Sequence, residues 1–118
     1  MKQITLRDIA HARSGDKGSS SNIGVIAYSD AGYEYLCQEL TTSRLQEFFA
    51  PLEASSITRY ELPNLSALNF VLRGALAGGA SRSLRCDTQG KTLGQVILQM
   101  PLEVDENALA AMLPRGEV

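Results

Sequence analysis

Seven residues, Asn22 to Tyr28, constrain the fold more than any others in the chain. Ile23, Val25, Ile26 and Ala27 make the segment almost unbroken in its apolar character. A run like this, too short for a core helix, reads as a central strand covered on both faces. The rest of the chain must then supply strands to pair with it and helices to cover it. Residues 3–10 read as a second strand, with Ile4 and Leu6 alternating with polar neighbours until Arg7 and Asp8 break the pattern. Residues 14–21, between the two, are too polar for a core and read as a Gly-Ser loop.

Helices follow. Asp30 is placed to cap one in which Tyr33, Leu36, Cys37 and Leu40 share a face. Ser43 with Gln46 has the form of a capping box for a second, carrying Leu45, Phe48, Phe49 and Leu52, and Pro51 ends it. Residues 56–62 read as a strand. Pro63 and Asn64 open what the spacing of Leu65, Leu68, Leu72, Ala75 and Leu76 predicts to be a third helix, terminated by Gly78-Gly79. Residues 81–86 read as a short strand and 87–90 as a turn. Thr92 with Gln95 starts a helix with Leu93, Val96, Ile97 and Met100 on one face, stopped by Pro101. Leu102 to Val104 read as an edge strand. Asp105 caps a last helix with Leu109, Met112 and Leu113, closed by Pro114, and 115–118 form a loose tail. Strands and helices mixed without a regular repeat predict an α+β sandwich, one sheet with helices mainly on one face. At 118 residues the chain is read as one domain.

Charge narrows the functional classes. Eleven Lys and Arg face thirteen Asp and Glu, so no bulk basic surface is available for nucleic acid. Cys37 and Cys86 lie far apart, form no metal spacing and are expected as buried, reduced thiols. The chain begins directly in strand-like alternation, and no apolar run approaches about 18 residues. A soluble cytoplasmic protein without membrane association is the expectation.

Two polar segments concentrate the reactive groups. In the first, Gly15 and Gly18 bracket Asp16-Lys17, and glycines let backbone N–H groups converge into an anion-binding nest. Arg13 adds a planar fork, Lys17 a point charge, and Ser14 and Ser19 to Ser21 hydroxyls. Asn22 joins the same ligand-binding set. The plain alternative is a long turn capped by Asp16, with Lys17 solvated. Neither a phosphate-binding P-loop nor a dinucleotide fingerprint is present. In the second segment, Arg85, Asp87 and Lys91 repeat the theme, and the helix start at Gly90 to Gln95 offers free N–H groups. Arg82 and Arg85 would point to opposite faces of a strand, so only one can serve a given site. His11, the one histidine, is a general-base candidate, as is Asp16; the alternative for His11 is a strand-end residue with local hydrogen bonds. Scattered carboxylates, one His and two distant Cys leave no metal-ligand set. No G-x-S-x-G elbow supports a serine nucleophile. Asn69 reads as a helix-surface or cap residue rather than a ligand contact.

Ala12-Arg13-Ser14-Gly15-Asp16-Lys17-Gly18, followed by Asn22-Ile23-Gly24-Val25-Ile26-Ala27, resembles the C-terminal domain of the acyclic terpene utilisation protein A (AtuA-like) family, which also occurs as a free-standing small protein. The run from Asn69-Phe70 to Leu76, then Gly78-Gly79, Ser83-Leu84-Arg85, Asp87 and Gly90-Lys91, resembles the family's second signature, and the likeness covers roughly residues 3–100. The resemblance implies a ferredoxin-like α+β sandwich, one mostly antiparallel sheet with helices packed on one face. It implies a setting in acyl-CoA catabolism, where branched or terpenoid acids are degraded through acyl-CoA carboxylases, and it implies no particular cofactor. An acyl-CoA or other small anion is the expected ligand. A larger AtuA-like or acyl-CoA carboxylase chain is the expected partner, because the family's large N-terminal domain is missing, and a homo-oligomer is expected. Where the family often has Asp after Gly18, this chain has Ser19, which weakens a metal or general-base role for the loop. Three readings stay open: a ligand-binding or accessory subunit; a small acyl-CoA-processing hydrolase, lyase or hydratase using Asp16 or His11 as base; and a scaffold domain docking on a larger partner.

Overall fold

The computed structural model describes residues 1–17, 20–50, 54–74 and 93–113. Ten regular elements are described. Strands β1 (Lys2–Thr5), β2 (Ala10–Lys17) and β3 (Ser20–Ala27) precede helices α1 (Asp30–Glu39) and α2 (Thr42–Phe48). Strands β4 (Ser56–Leu62) and β5 (Ala67–Arg73) follow, then α3 (Leu93–Ile97), β6 (Pro101–Val104) and α4 (Glu106–Met112). Four strands form one antiparallel sheet in the order β2-β3-β5-β4, and β1 and β6 pair as a separate antiparallel ribbon. From β3 onward the elements run β-α-β-β-α-β, the ferredoxin-like order, with two short helices in the first helical position.

The segment read as one strand over 3–10 is divided by a single 3-10 turn at Leu6–Asp8. Leu6 and Ile9, both fully buried, stand three residues apart, the spacing that a 3-10 turn stacks on one side. Asp8 closes the turn by accepting the Thr5 N–H at 3.0 Å. Beyond it the structure corrects the Gly-Ser loop: β2 continues to Lys17 and β3 begins at Ser20, so 14–17 and 20–21 are paired strand. Asp16 pairs with Ser21 and Lys17 with Ser20.

A second correction concerns 63–76. Only Pro63–Leu65 is helical, as one 3-10 turn closed by Ser66 at φ 51°, and Ala67–Arg73 is a strand in the interior of the sheet. Leu68, Phe70 and Leu72 are fully buried at alternate positions, the period of a strand. Pairing with β3 on one side and β4 on the other satisfies the backbone of this segment. Helix starts also move: Ser29, not Asp30, caps α1 by accepting the Gly32 N–H, and Thr41, not Ser43, caps α2 by accepting the Arg44 N–H. Asp105 caps α4 as read, accepting the Asn107 N–H at 2.8 Å.

The core lies on one face of the sheet. Ile23, Val25, Leu68, Phe70 and Leu72 pack with Leu36, Leu40, Leu45, Phe49 and Ile97 in a single cluster. Asn22, in contrast, is exposed, and Gly24 and Ile26 are half-exposed, so β3 is covered on one face and not on both. Three side chains hold the helical layer in place. Ser29 donates to the Ala111 carbonyl at 2.7 Å, Tyr35 to Glu103 at 2.7 Å, and Arg44 to Pro101 at 2.8 Å. No helix among the described residues is long and apolar enough to cross a membrane. Cys37 is a free, half-buried thiol, and Cys86 lies outside the described residues.

Candidate functional site

The sheet's other face carries the groups of interest. Strand pairing arranges it in rows from β2 across β3 and β5 to β4. One row is His11, Ile26, Ala67, Leu62; the next is Arg13, Gly24, Asn69, Tyr60; the third is Gly15, Asn22, Val71, Thr58; Ser20, Arg73 and Ser56 continue it. Rows on one face are two residues, about 6.6 Å, apart. The chain's net charge is −2, yet the described side chains in these rows include Arg13 and Arg73 and no carboxylate. Arg73 donates to the Thr58 hydroxyl at 2.7 Å. Arg13 is exposed.

Two glycines open the middle of this face. A Cβ at Gly15 would stand 3.2 Å from Asn22 Oδ1, and one at Gly24 would stand 3.9 Å from Asn69 Oδ1. The two asparagine side chains approach diagonally, Asn22 Nδ2 to Asn69 Oδ1, at 3.5 Å. At that length the contact is weak, and both amides keep donors and acceptors to offer. A hollow of about 280 Å³ is bounded by Ser20, Ser21, Asn22, Asn69 and Val71.

Strand geometry separates several residues grouped in the sequence. Ser14 belongs to the helix-covered face, where its hydroxyl accepts the Gly94 N–H at 2.9 Å and anchors the start of α3. A Cβ at Gly94 would lie 3.1 Å from the Arg13 carbonyl carbon and 3.2 Å from the Ser14 nitrogen, so a glycine is what lets this helix approach β2. Ser21 is buried on the same covered side and donates to the Gly15 carbonyl at 3.3 Å. His11 stacks on Tyr28, ring centroids 5.6 Å apart and planes at 26°. His11 and Asp16 are five residues apart on one extended strand, so their backbones are about 16 Å apart. Thus Arg13, Gly15 and Asn22 are brought together, Ser14 is turned away, and His11 stands in the end row of the face, next to Arg13 along β2. Gly18, Arg85, Asp87 and Lys91, with the expected strand at 81–86 and turn at 87–90, lie outside the described residues.

Asn69, Arg73 and Tyr60 join the face although the sequence reading gave them no role there. The signal was present in the alternation of Leu68, Phe70 and Leu72, which sends Asn69, Val71 and Arg73 to the opposite side. It is masked by the equally good helical spacing of Leu65, Leu68 and Leu72. Chemically the face offers a guanidinium, two amides and hydroxyls around positions without side chains. This donor set suits a carboxylate or phosphate oxygen.

A family model described as AtuA ferredoxin-like domain matches residues 4–103. No curated protein and no solved structure matches the chain.

Proposed function

The chain belongs to the AtuA ferredoxin-like domain family, and from that premise we propose that it is a ligand-binding or accessory domain of acyl-CoA catabolism, holding the phosphate or carboxylate of its ligand on the open face of the sheet. One observation carries the proposal: in a chain of net charge −2, the face on which no described helix packs has Arg13 and Arg73, no described carboxylate, and glycine-floored space between Arg13, Asn22 and Asn69. Arg13 supplies the charge, the amides orient the oxygens, and Gly15 and Gly24 let the ligand lie against the backbone. The site thus differs from a loop nest, because its groups come from three adjacent strands.

Isothermal titration of the full chain with phosphate, coenzyme A, acetyl-CoA and a branched acyl-CoA tests this. Wild type is expected to bind at least one of them. Arg13→Ala is expected to weaken that binding about 10- to 100-fold, the loss of a charge-assisted hydrogen bond. Ser14→Ala is expected to leave the affinity unchanged, since its hydroxyl serves α3. Absence of binding by wild type, or equal binding by Arg13→Ala, would sink the proposal.

A further inference from the structure

The other end of the same face is apolar. Of the six large hydrophobic side chains exposed among the described residues, Tyr28, Tyr60 and Leu62 stand here, at 38, 45 and 39 % exposure. Tyr28, stacked with His11, stands over the β2–β3 side, and Tyr60 and Leu62 stand on β4. Between them lie Ile26 and the small Ala67, paired on β3 and β5. Gly15, Gly24 and Ala67 fall on one diagonal across β2, β3 and β5. That diagonal is a low path from the Arg13–Asn22 end to the apolar end, with larger side chains on either side.

We infer that the open face binds a single-chain amphiphilic anion, its charged head at Arg13 and Asn22 and its apolar tail lying along the diagonal towards Ile26, Tyr60 and Leu62. The inference rests on the anion reading above and adds the class of ligand. Charge complementarity fixes the direction, since Arg13 lies on β2 at one edge of the sheet and the exposed Tyr60 and Leu62 on β4 at the opposite edge. A second copy of the chain is a poorer occupant. Four strands about 4.8 Å apart and seven residues long give a face of roughly 450 Å², against about 800 Å² per partner in a stable interface. A soluble monomeric amphiphile is the occupant argued for, rather than a lipid bilayer, because the described cations of these rows are Arg13 on β2 and Arg73 on β5 alone, on different strands and in different rows, and two such charges do not ring the apolar cluster.

The test is a titration of the full chain with butanoate, hexanoate, octanoate and decanoate below their micellar concentrations. Affinity is expected to rise about twofold per methylene, the response of a chain half removed from water, or on the order of 15-fold from butanoate to octanoate. Leu62→Ser and, separately, Tyr60→Ser replace exposed side chains, so the fold is retained; each is expected to flatten the series and leave butanoate binding intact. Arg13→Ala is expected to weaken every member by one common factor. A flat wild-type series with Arg13-dependent butanoate binding overturns the tail inference alone and leaves the anion site standing. No binding by any member overturns the inference, and the anion site then stands or falls on the phosphate and coenzyme A titrations above. A chain-length response that survives in both Leu62→Ser and Tyr60→Ser overturns the tail path. Binding to phosphatidylglycerol vesicles without binding of soluble octanoate overturns the inference in favour of a lipid surface.

Discussion

Arg59 provides the sharpest test of how the fold is held together. It lies on β4, on the helix-covered side opposite Phe70, and its guanidinium reaches the end of α1. One nitrogen donates to the Cys37 carbonyl at 2.8 Å and to the Leu40 carbonyl at 3.3 Å. The other meets Glu61 at 2.7 Å, with 21 % of the Arg59 side chain exposed. The last turn of α1 contains no basic residue of its own, so Arg59 supplies from another element the cation that a helix C-terminus favours. Arg59→Met keeps the aliphatic stem and removes the charge and the donors. The short hydrogen bond to Cys37 is worth about 1.5–2 kcal/mol as a charge-assisted bond. The longer one and the helix dipole add about 0.5–1 kcal/mol. The Glu61 pair, half in solvent, adds at most about 0.5 kcal/mol. The expected loss is about 2–3 kcal/mol, measured by urea denaturation followed by circular dichroism. At about 4 °C per kcal/mol this lowers Tm by roughly 8–12 °C. Glu61→Gln should cost no more than about 0.5 kcal/mol, which separates the helix contact from the ion pair. Arg59→Met within about 0.5 kcal/mol of wild type, or a Glu61→Gln loss as large as that of Arg59→Met, would refute the reasoning.

The remaining predictions concern the packing of the helices. Gly94→Ala should destabilise by about 1–3 kcal/mol, because its methyl group meets the backbone of Arg13 and Ser14, which has nowhere to go; thermal denaturation checks it. Ser14→Ala, which removes the acceptor of the Gly94 N–H, should cost about 1 kcal/mol by the same measurement. Tyr35→Phe removes the 2.7 Å bond to the Glu103 carbonyl and should cost about 1 kcal/mol at neutral pH. Desolvation by burial, followed by the nearby Glu39 charge, raises the Tyr35 pKa above its ordinary value of 10.0. The folded state therefore holds this proton more tightly than the unfolded chain, so the contribution is complete below pH 10 and is lost as the pH climbs above it. Stability measured from neutral to strongly alkaline pH should fall less steeply above pH 10 in Tyr35→Phe than in wild type.

The central strand was legible because Ile23 and Val25 demand burial in any arrangement. What the run could not reveal is that Asn22, Gly24 and Ile26 face solvent, since an apolar residue such as Ile26 fits either side. The fold class and the helices α1 and α2 were legible from spacing alone, although their caps shifted by one or two residues. Ser29 takes the cap of α1 because its hydroxyl also reaches Ala111 on α4, a contact invisible from the local sequence. β5 was misread for a definite reason. Leu65, Leu68 and Leu72 fit a helix, Leu68, Phe70 and Leu72 fit a strand, and over seven residues the two periods are equally well served. Pairing with β3 and β4 decides between them. Arg59 gives no local sign of its partners, because the carbonyls it meets lie about twenty residues upstream.

The polar stretch after Ala12 was misplaced for another reason, and the difference changes the chemistry. Gly, Ser, Asp and Lys are poor strand formers, so composition alone favours a loop. The β3 segment overrides this by presenting an edge along which 10–17 pair residue by residue. In a loop, Arg13, Ser14 and Gly15 could converge on one ligand. In a strand, neighbours alternate: Ser14 turns inward to hold α3, and Arg13 and Gly15 stay with the open face. The same alternation draws in Asn22 and Asn69 from the next strands. A site built this way is set by the register of three strands rather than by the conformation of one turn. A change that shifts β2 against β3 by one residue would exchange Arg13 for Ser14 on the open face and abolish the site while keeping every residue of the motif.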